Sequence, residues 1–484
     1  MIDSISIHAS QDAIEWALTH GMVLKNTPYS ATHTAFSFTP TSISRERYAH
    51  LTSSVNLLGK LVHFASENHA FLHQAIAPIT SGDPFFNALL LMHKQIHDSP
   101  NSAKRLPLLL MRSDFMDDTT DGPRLIEFNG IAAGMGPFGQ RVHQLHKYLQ
   151  LQSAQAYSKW GSLDAELVDN PAIERLSLGI ATAAQKIKSE FDDAGPAVFL
   201  MVVQADEDNV YDQHLLEHAL QVKGISTVRR TFRQLHGKLS TGVNDRLILE
   251  DVGAIDTIYL RAGYQYCDYQ AHDLISKVCC DALMQTRIFI EKHRVAVNAT
   301  VSQQLATSKR VQMLLSSMTP KELTAFGLSV DEASIVSELL GEMLPITENS
   351  ATWIKQRPTD EWVLKNQGEG GGHCIFGDDI HQKLLTLQPN EYQAWSLMRR
   401  LHPAPRSASA LTVRKGELQQ IDDLISEIGM FTVHIDGIPA TAEQGYAGYL
   451  IRSKSARTTE GGVHSGMGVL DSLVFSDESS WEPK

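Results

Sequence analysis

The sequence predicts a mixed α/β (α+β) protein of several packed units, and three observations carry that reading. Its 484 residues exceed what one simple core supports, so two or three domains are expected. Apolar residues recur at helical spacing through much of the first hundred residues, whereas strand and helix patterns alternate from about 196 to 300. After residue 350 several strand-like runs follow with few long helices between them.

The elements follow in order. At 43–76 and 83–98 the three- and four-residue apolar intervals predict helices, with Asp83 before Pro84 as a helix start. LPLLLM at 106–111 and RLIEFN at 124–129 read as two short strands separated by the turn-rich DDTTDG at 117–122. This hairpin carries Arg112, Glu127 and Asn129 at its ends. Farther on, AVFLMVVQ reads as strand, DQHLLEHALQVKG as helix, ISTVRRTF and TIYLRAGY as strands, and a helix ends near Cys279 and Cys280. Such alternation predicts an inserted α/β domain with a largely parallel sheet. EWVLKNQ, AWSLMRR, ALTVRK, DLISEIGMFTVHID and GYLIRSK then predict a mainly antiparallel sheet. There is no fixed-period repeat, and the nearest thing to a linker is HPAPRSASA at 402–410, so the domains are expected to interleave.

Composition excludes several function classes. A hydrophobic fraction of 43% and a charged fraction of 20% are ordinary for a globular protein, and no stretch approaches the length of a membrane-spanning helix. With 42 Lys plus Arg against 55 Asp plus Glu the formal charge is −13, so nucleic acid and acidic membranes are not expected partners. The start MIDSISIHAS has neither a basic region nor an apolar run, which predicts a cytoplasmic protein. Cys267, Cys279, Cys280 and Cys374 form no CxxC pair, and neither a structural disulfide nor a zinc site is expected. The 21 histidines show no HExxH spacing and receive no catalytic role.

Three segments can carry chemistry. WVLKNQGEGGGHCIFG at 362–377 sets Lys365 at the end of a strand, directly before Gly368, Gly370, Gly371 and Gly372. Backbone N–H groups of such a loop can approach phosphate oxygens closely. A glycine run alone reads more readily as a flexible hairpin tip, but Lys365 supplies a phosphate charge and Glu369 within the loop implies an intervening Mg²⁺. No Walker GxxxxGK[ST] and no GxGxxG at a strand-to-helix turn occurs. In IEFNG at 126–130, alternation points Glu127 and Asn129 to one face as two oxygen ligands for a hard cation, although a solvated strand edge is equally compatible. IRSK at 451–454 places Arg452 and Lys454 on one strand face, ahead of the glycine-rich EGGVHSGMG at 460–468. Two adjacent cations suit an anionic transition state, and a basic surface strand is the plainer alternative.

Together with MRSDFM at 111–116, VVQADEDNVYDQ at 202–213, YLRAGY at 259–264, SKRVQ at 308–312 and ISEIGMF at 425–431, these motifs resemble the eukaryotic-type glutathione synthetase family of ATP-grasp ligases. The resemblance runs from about residue 10 to 475. It implies an ATP-grasp fold with an antiparallel sheet and helices, an inserted parallel-sheet substrate domain and a glycine-rich lid. The implied boundaries are 1–195 and 311–345 for the main domain, 196–310 for the insertion, 346–415 for the lid and 416–484 for the C-terminal part of the main domain. Glu127, Asn129 and Glu369 would hold two Mg²⁺ ions. Lys309, Lys365, Gly370, Gly371, Gly372, Phe376, Met398, Leu401, Glu427, Lys454 and Glu460 would form the ATP site. The donor peptide would meet Arg112, Ala132, Gly134, Glu207, Asn209, Gln213, Arg261, Tyr264 and Arg452, and the acceptor Val463 and His464. Arg112, Arg452, Lys365 and Lys309 would serve catalysis, in a homodimer acting on small molecules.

The family pattern is broken at the substrate ends. Ala132 and Gly134 stand where two serines are usual, and Val463 is followed by His464 instead of alanine. Cys374, Phe376 and Arg399 replace the usual Asn, Tyr and an acidic residue. The expected reaction is ATP-dependent joining of γ-glutamylcysteine and glycine through an acyl phosphate. A same-mechanism ligase with another donor or acceptor, such as a homoglutathione-type enzyme, is the alternative; a non-catalytic nucleotide-binding protein ranks below both.

Overall fold

A computed structural model describes residues 2–99, 102–271, 273–274, 281–368, 374–441, 444–459, 461–463 and 466–476. Its backbone is a sheet of 13 strands. Along its main path the strands are Glu417–Ile421, Ala410–Arg414, Phe36–Ser37, Val469–Asp471, Tyr446–Ser455, Leu424–Ile435, Leu106–Asp118, Ala296–Asn298, Thr257–Leu260, Val198–Val202 and Ser226–Arg230.

The Leu106–Asp118 strand is the seam between two kinds of pairing. Leu106 and Pro107 pair in parallel with Ala296 and Val297, which opens a run of parallel strands from the 196–300 region. From Leu108 to Phe115 the same strand pairs antiparallel with Leu424–Ile435, and its far end forms a hairpin with Gly122–Asn129. Residues 106–115 are buried throughout, as the unbroken apolar start LPLLLM demands of a strand covered on both faces. Alternation divides its side chains between two cores. Leu109, Met111 and Phe115 join Leu51, Val55, Leu58, Leu61 and Val62 of the Arg45–Glu67 helix on one face. Leu106, Leu108 and Leu110 face Phe138, Val142, Leu176 and Ile180 of the helices Gly136–Gln152 and Ala172–Lys188 on the other.

A second, four-stranded antiparallel sheet, Met343–Pro345, Ser396–Arg399, Trp362–Lys365 and Cys374–Phe376, has its own small core of Ile346, Ile354, Trp362, Leu364, Ile380, Leu384 and Leu397. Among the described residues no helix is long and apolar enough to cross a membrane.

The structure refines several expected elements. The helix predicted over 43–76 begins at Arg45, capped by Ser44, and breaks at Asn68, whose side chain accepts from the Phe71 N–H and caps a new helix, His69–Ile76. Asp83 caps Pro84–Ile96 through the N–H groups of Phe85 and Phe86. The hairpin strands run longer than their apolar cores suggest. The turn is only residues 119–121, because Asp118 accepts from the N–H groups of Thr120 and Asp121 and closes it. A small sheet of Leu239–Thr241, Leu247–Leu249 and Gly253–Ala254 is too short-stranded to show a period in the sequence. The expected helix end near Cys279 and Cys280 lies outside the described residues, and a helix is described at Asp281–Glu291.

Candidate functional site

Four neighbouring strands of the large sheet present charged groups on one face. A strand alternates its side chains, so Arg112 and Asp114 share a face; Asn129 sits opposite Arg112, and Glu127 opposite Asp114. On the other side Gly429 is the partner of Asp114, and Glu427 the cross-strand partner of Arg452.

Asp114 is the hub of this face. It is fully buried and accepts from Arg112 Nε at 2.6 Å and Nη2 at 2.8 Å, from Asn129 Nδ2 at 2.9 Å and from Arg452 Nη2 at 3.0 Å. Arg112 also donates through Nη1 to the Gly134 carbonyl at 3.0 Å, and Arg452 to Glu427. Two guanidinium groups are thereby fixed side by side by charge-assisted hydrogen bonds. Gly429 makes room for the pair: a Cβ there would lie 2.7 Å from Arg112 Cδ and 2.8 Å from Asp114 Oδ1.

Beside the arginines stand two lysines and a carboxylate. Lys309 opens the Lys309–Ser316 helix behind its cap Ser308; its Nζ donates to the Gly368 carbonyl at 2.9 Å and lies 3.7 Å from Glu127 Oε2. Lys365, at the end of its strand, donates to the Ile126 carbonyl at 3.2 Å. Burial by itself would raise the Glu127 carboxyl, but Lys309, Lys365, Arg452 and Arg112 together bring it down to about 2. Burial pushes the Glu427 carboxyl up, against the pull of Arg452. Glu127 thus offers a fixed anion. Asn129, with its amide nitrogen engaged by Asp114, keeps its side-chain carbonyl for a ligand. An ionised carboxylate beside an amide oxygen fits a hard divalent cation such as Mg²⁺.

These groups line a cleft of about 410 Å³, a size that suits a small-molecule ligand. One wall holds Phe376, Met398, Leu401, Ile425, Glu427 and Lys454. Another part of the lining gathers Ala132, Gly134, Glu207 and Arg261, and Asn209, Tyr264 and Val463 also line the cleft. Of these, Glu207 Oε2, Asn209 Oδ1 and Arg261 Nε are buried without hydrogen-bond partners among the described residues, a pattern that calls for a polar ligand. Ala132 bends the chain there with φ 52, and its carbonyl accepts from Arg261 Nη1 at 3.2 Å.

Among the residues anticipated from the sequence, Gln213 is not part of the cleft lining, and its Oε1 accepts from Arg229 Nη2 at 2.5 Å. Glu369, Gly370, Gly371, Gly372, Glu460 and His464 lie outside the described residues. Sequence reasoning missed Asp114 and Gly429, although Asp114 stands two residues from Arg112 within MRSDFM, the spacing that puts both on one strand face.

Comparison with known proteins gives the family of the chain. The family model for the eukaryotic glutathione synthase, ATP binding domain, matches residues 5–475. Glutathione synthetase of Homo sapiens is 30% identical over 479 residues, covering 96% of this chain and 95% of that one. The chloroplastic glutathione synthetase of Solanum lycopersicum is 28% identical over 481 residues, covering 96% and 84%. In fold, the chain is similar to a glutathione synthetase like-effector from Globodera pallida solved in apoform, with a TM-score of 0.70 at 18% identity, covering 97% of each chain. A family match over nearly the whole length, together with a relative at this identity, places the protein: the chain belongs to the eukaryotic glutathione synthase family.

Proposed function

We propose that this protein is an ATP-dependent carboxylate–amine ligase that makes glutathione from γ-glutamylcysteine and glycine. The observation that carries the reading is the Arg112–Asp114–Arg452 cluster set beside Lys309, Lys365 and Glu127 in one cleft. A carboxylate oxygen of the donor attacks the γ-phosphorus of ATP, the bond to ADP breaks, and an acyl phosphate forms. The glycine amine then attacks the acyl carbon, and phosphate leaves with the bond pair as the amine gives up a proton. Neither step needs a strong acid or base from the protein; both need positioning and charge neutralisation.

Lys309 and Lys365 are placed to take the phosphates, and Arg112 and Arg452 to hold the donor carboxylate and the negative charge that develops on it. Glu127 and Asn129, with Glu369, would hold Mg²⁺, which when bound supplies neutralisation of phosphate charge. The atoms of Glu207, Asn209 and Arg261 that have no partner among the described residues suit the polar groups of the γ-glutamyl end. We also propose that the protein works as a cytoplasmic homodimer, which light scattering and cell fractionation check.

The direct test is phosphate release measured with each substrate alone and with both. Release that requires ATP, γ-glutamylcysteine and glycine together is expected; no release with both present overturns the reading. The donor end makes a sharper prediction. A Cβ on Gly134 would collide with the Arg261 guanidinium, which is pinned by the Ala132 carbonyl at 3.2 Å and Glu207 at 3.4 Å. Gly134→Ala should therefore raise the donor KM on the order of tenfold while leaving the ATP KM and kcat close to wild type in initial-rate kinetics.

A further inference from the structure

Two helices outside the cleft each carry a pair of histidines four residues apart. His69 and His73 lie on His69–Ile76, and His93 and His97 lie on and just after Pro84–Ile96. That spacing projects each pair from a single helix face, and the two faces meet. His69 Nδ1 lies 3.2 Å from His93 Nε2, and His73 Nε2 lies 2.9 Å from His93 Nδ1. The His97 ring centre is 3.9 Å from that of His69 and 4.6 Å from that of His93. His69, His93 and His97 each offer a ring nitrogen, all within 4.8 Å of one another. His93 is fully buried, while His69, His73 and His97 are partly exposed and leave a way in for an ion. None of the four lines the cleft.

We propose that His69, His93 and His97 form a zinc-binding site, with His73 holding the His93 ring from behind. Tetrahedral zinc with bonds of about 2.0–2.1 Å separates its ligand nitrogens by about 3.3 Å, close to the His69–His93 spacing already present. Ligation through His93 Nε2 leaves its Nδ1–H to donate to His73, the second hydrogen bond that fixes the tautomer of metal-bound histidines. An all-imidazole donor set selects zinc or a neighbouring late transition metal over Mg²⁺ or Ca²⁺. Burial first, then the neighbouring histidines and Arg105, push His93 down to about 2; burial, then Arg105 and the other histidines, push His97 down to about 3. Their lone pairs are therefore not held by protons at neutral pH. Arg105 would oppose a dication, but its charge is balanced by Glu67 at 3.1 Å and Glu291 at 3.5 Å.

The site would tie the two helices together behind the cleft. The first of them receives the Arg310 Nε donor at the Ala75 carbonyl, 3.3 Å away, and Arg310 follows Lys309. Zinc occupancy is thus a stability device for the scaffold under Lys309.

The test uses full-length protein without an affinity tag, stripped of metal and given Zn²⁺ alone. Wild type is expected to retain about one equivalent after desalting and to gain in Tm. His69→Gln and His97→Gln, at partly exposed positions, should lower retained zinc about tenfold or more without changing the circular dichroism or the turnover of Mg²⁺–ATP. Glu127→Gln should retain zinc as wild type does, which separates this site from the cleft. Substituted Co²⁺ should give intense tetrahedral visible bands in wild type and lose them in His97→Gln. Wild type that keeps no zinc, variants that keep as much as wild type, or weak octahedral cobalt bands would each leave a hydrogen-bonded histidine chain without metal and overturn the proposal.

Discussion

Asp114→Ala is expected to lower kcat on the order of 10³-fold and to cost about 3–5 kcal/mol of stability. The carboxylate is fully buried and is the common acceptor for Arg112, Asn129 and Arg452. Without it Arg112, whose side chain is 8% exposed, keeps among the described residues only the Gly134 carbonyl as a hydrogen-bond partner. Arg452 keeps Glu427 and is drawn toward that neighbour, away from Arg112. A buried Arg112 left without its counter-ion accounts for the stability loss. Two guanidinium groups no longer aimed at one point account for the rate loss, because preorganised charge acts only when it is already in place.

Lys309 and Lys365, the lysines proposed to take the phosphates, donate to the Gly368 and Ile126 carbonyls, so the ATP KM should stay within about threefold. Asp114→Asn keeps the volume and one acceptor oxygen but turns an amide NH₂ toward a guanidinium. It should be less destabilised than the alanine variant and still slow. Urea unfolding together with initial rates measures both effects. A kcat within tenfold of wild type would show that the arginines hold their places without this hub.

What the sequence reveals of this site follows from what its periods can encode. Glu127 with Asn129, and Arg452 with Lys454, were each readable as a pair on one face of its strand because a strand repeats every two residues. The apolar run before Arg112 likewise announced a strand, though not that it would be buried on both faces. Asp114 was not readable as a hub, since its donors come from three strands that only the sheet order makes neighbours. Lys309 beside Glu127 is the same kind of fact: family resemblance pointed to Lys309, and no local spacing does. The break at Asn68 was hidden because one capping side chain leaves the apolar period on either side intact. The histidines show the limit most plainly. Each pair is visible in the sequence at helical spacing, but one helix's period says nothing about which face of another helix it meets.

Glu127→Gln should lower kcat/KM about 10²–10³-fold with almost no change in shape, which isolates the effect of charge. Wild-type Glu127 faces Lys309, Lys365, Arg452 and Arg112, and together these hold its folded carboxyl at about 2, below the ordinary 4.5. A group depressed in the folded state adds stability above its unfolded pKa and loses it as pH falls through the folded value. The stability gap between wild type and variant should therefore be constant above about pH 4.5 and close between there and about pH 2 in acid-unfolding curves.

The kinetic outcome separates two roles for this carboxylate. If Glu127 holds Mg²⁺, the variant needs more Mg²⁺ for half-maximal rate, by roughly 10–100-fold, and excess Mg²⁺ restores part of the activity. If it only balances the lysines, removing its charge frees Lys309, 3.7 Å away, for phosphate, and the ATP KM falls while the Mg²⁺ requirement stays put. The paired donor set, an ionised carboxylate with the Asn129 carbonyl left over from the Asp114 hydrogen bond, favours the first outcome. A lower ATP KM at an unchanged Mg²⁺ requirement would instead assign Glu127 to charge balance and move the metal to other oxygen ligands.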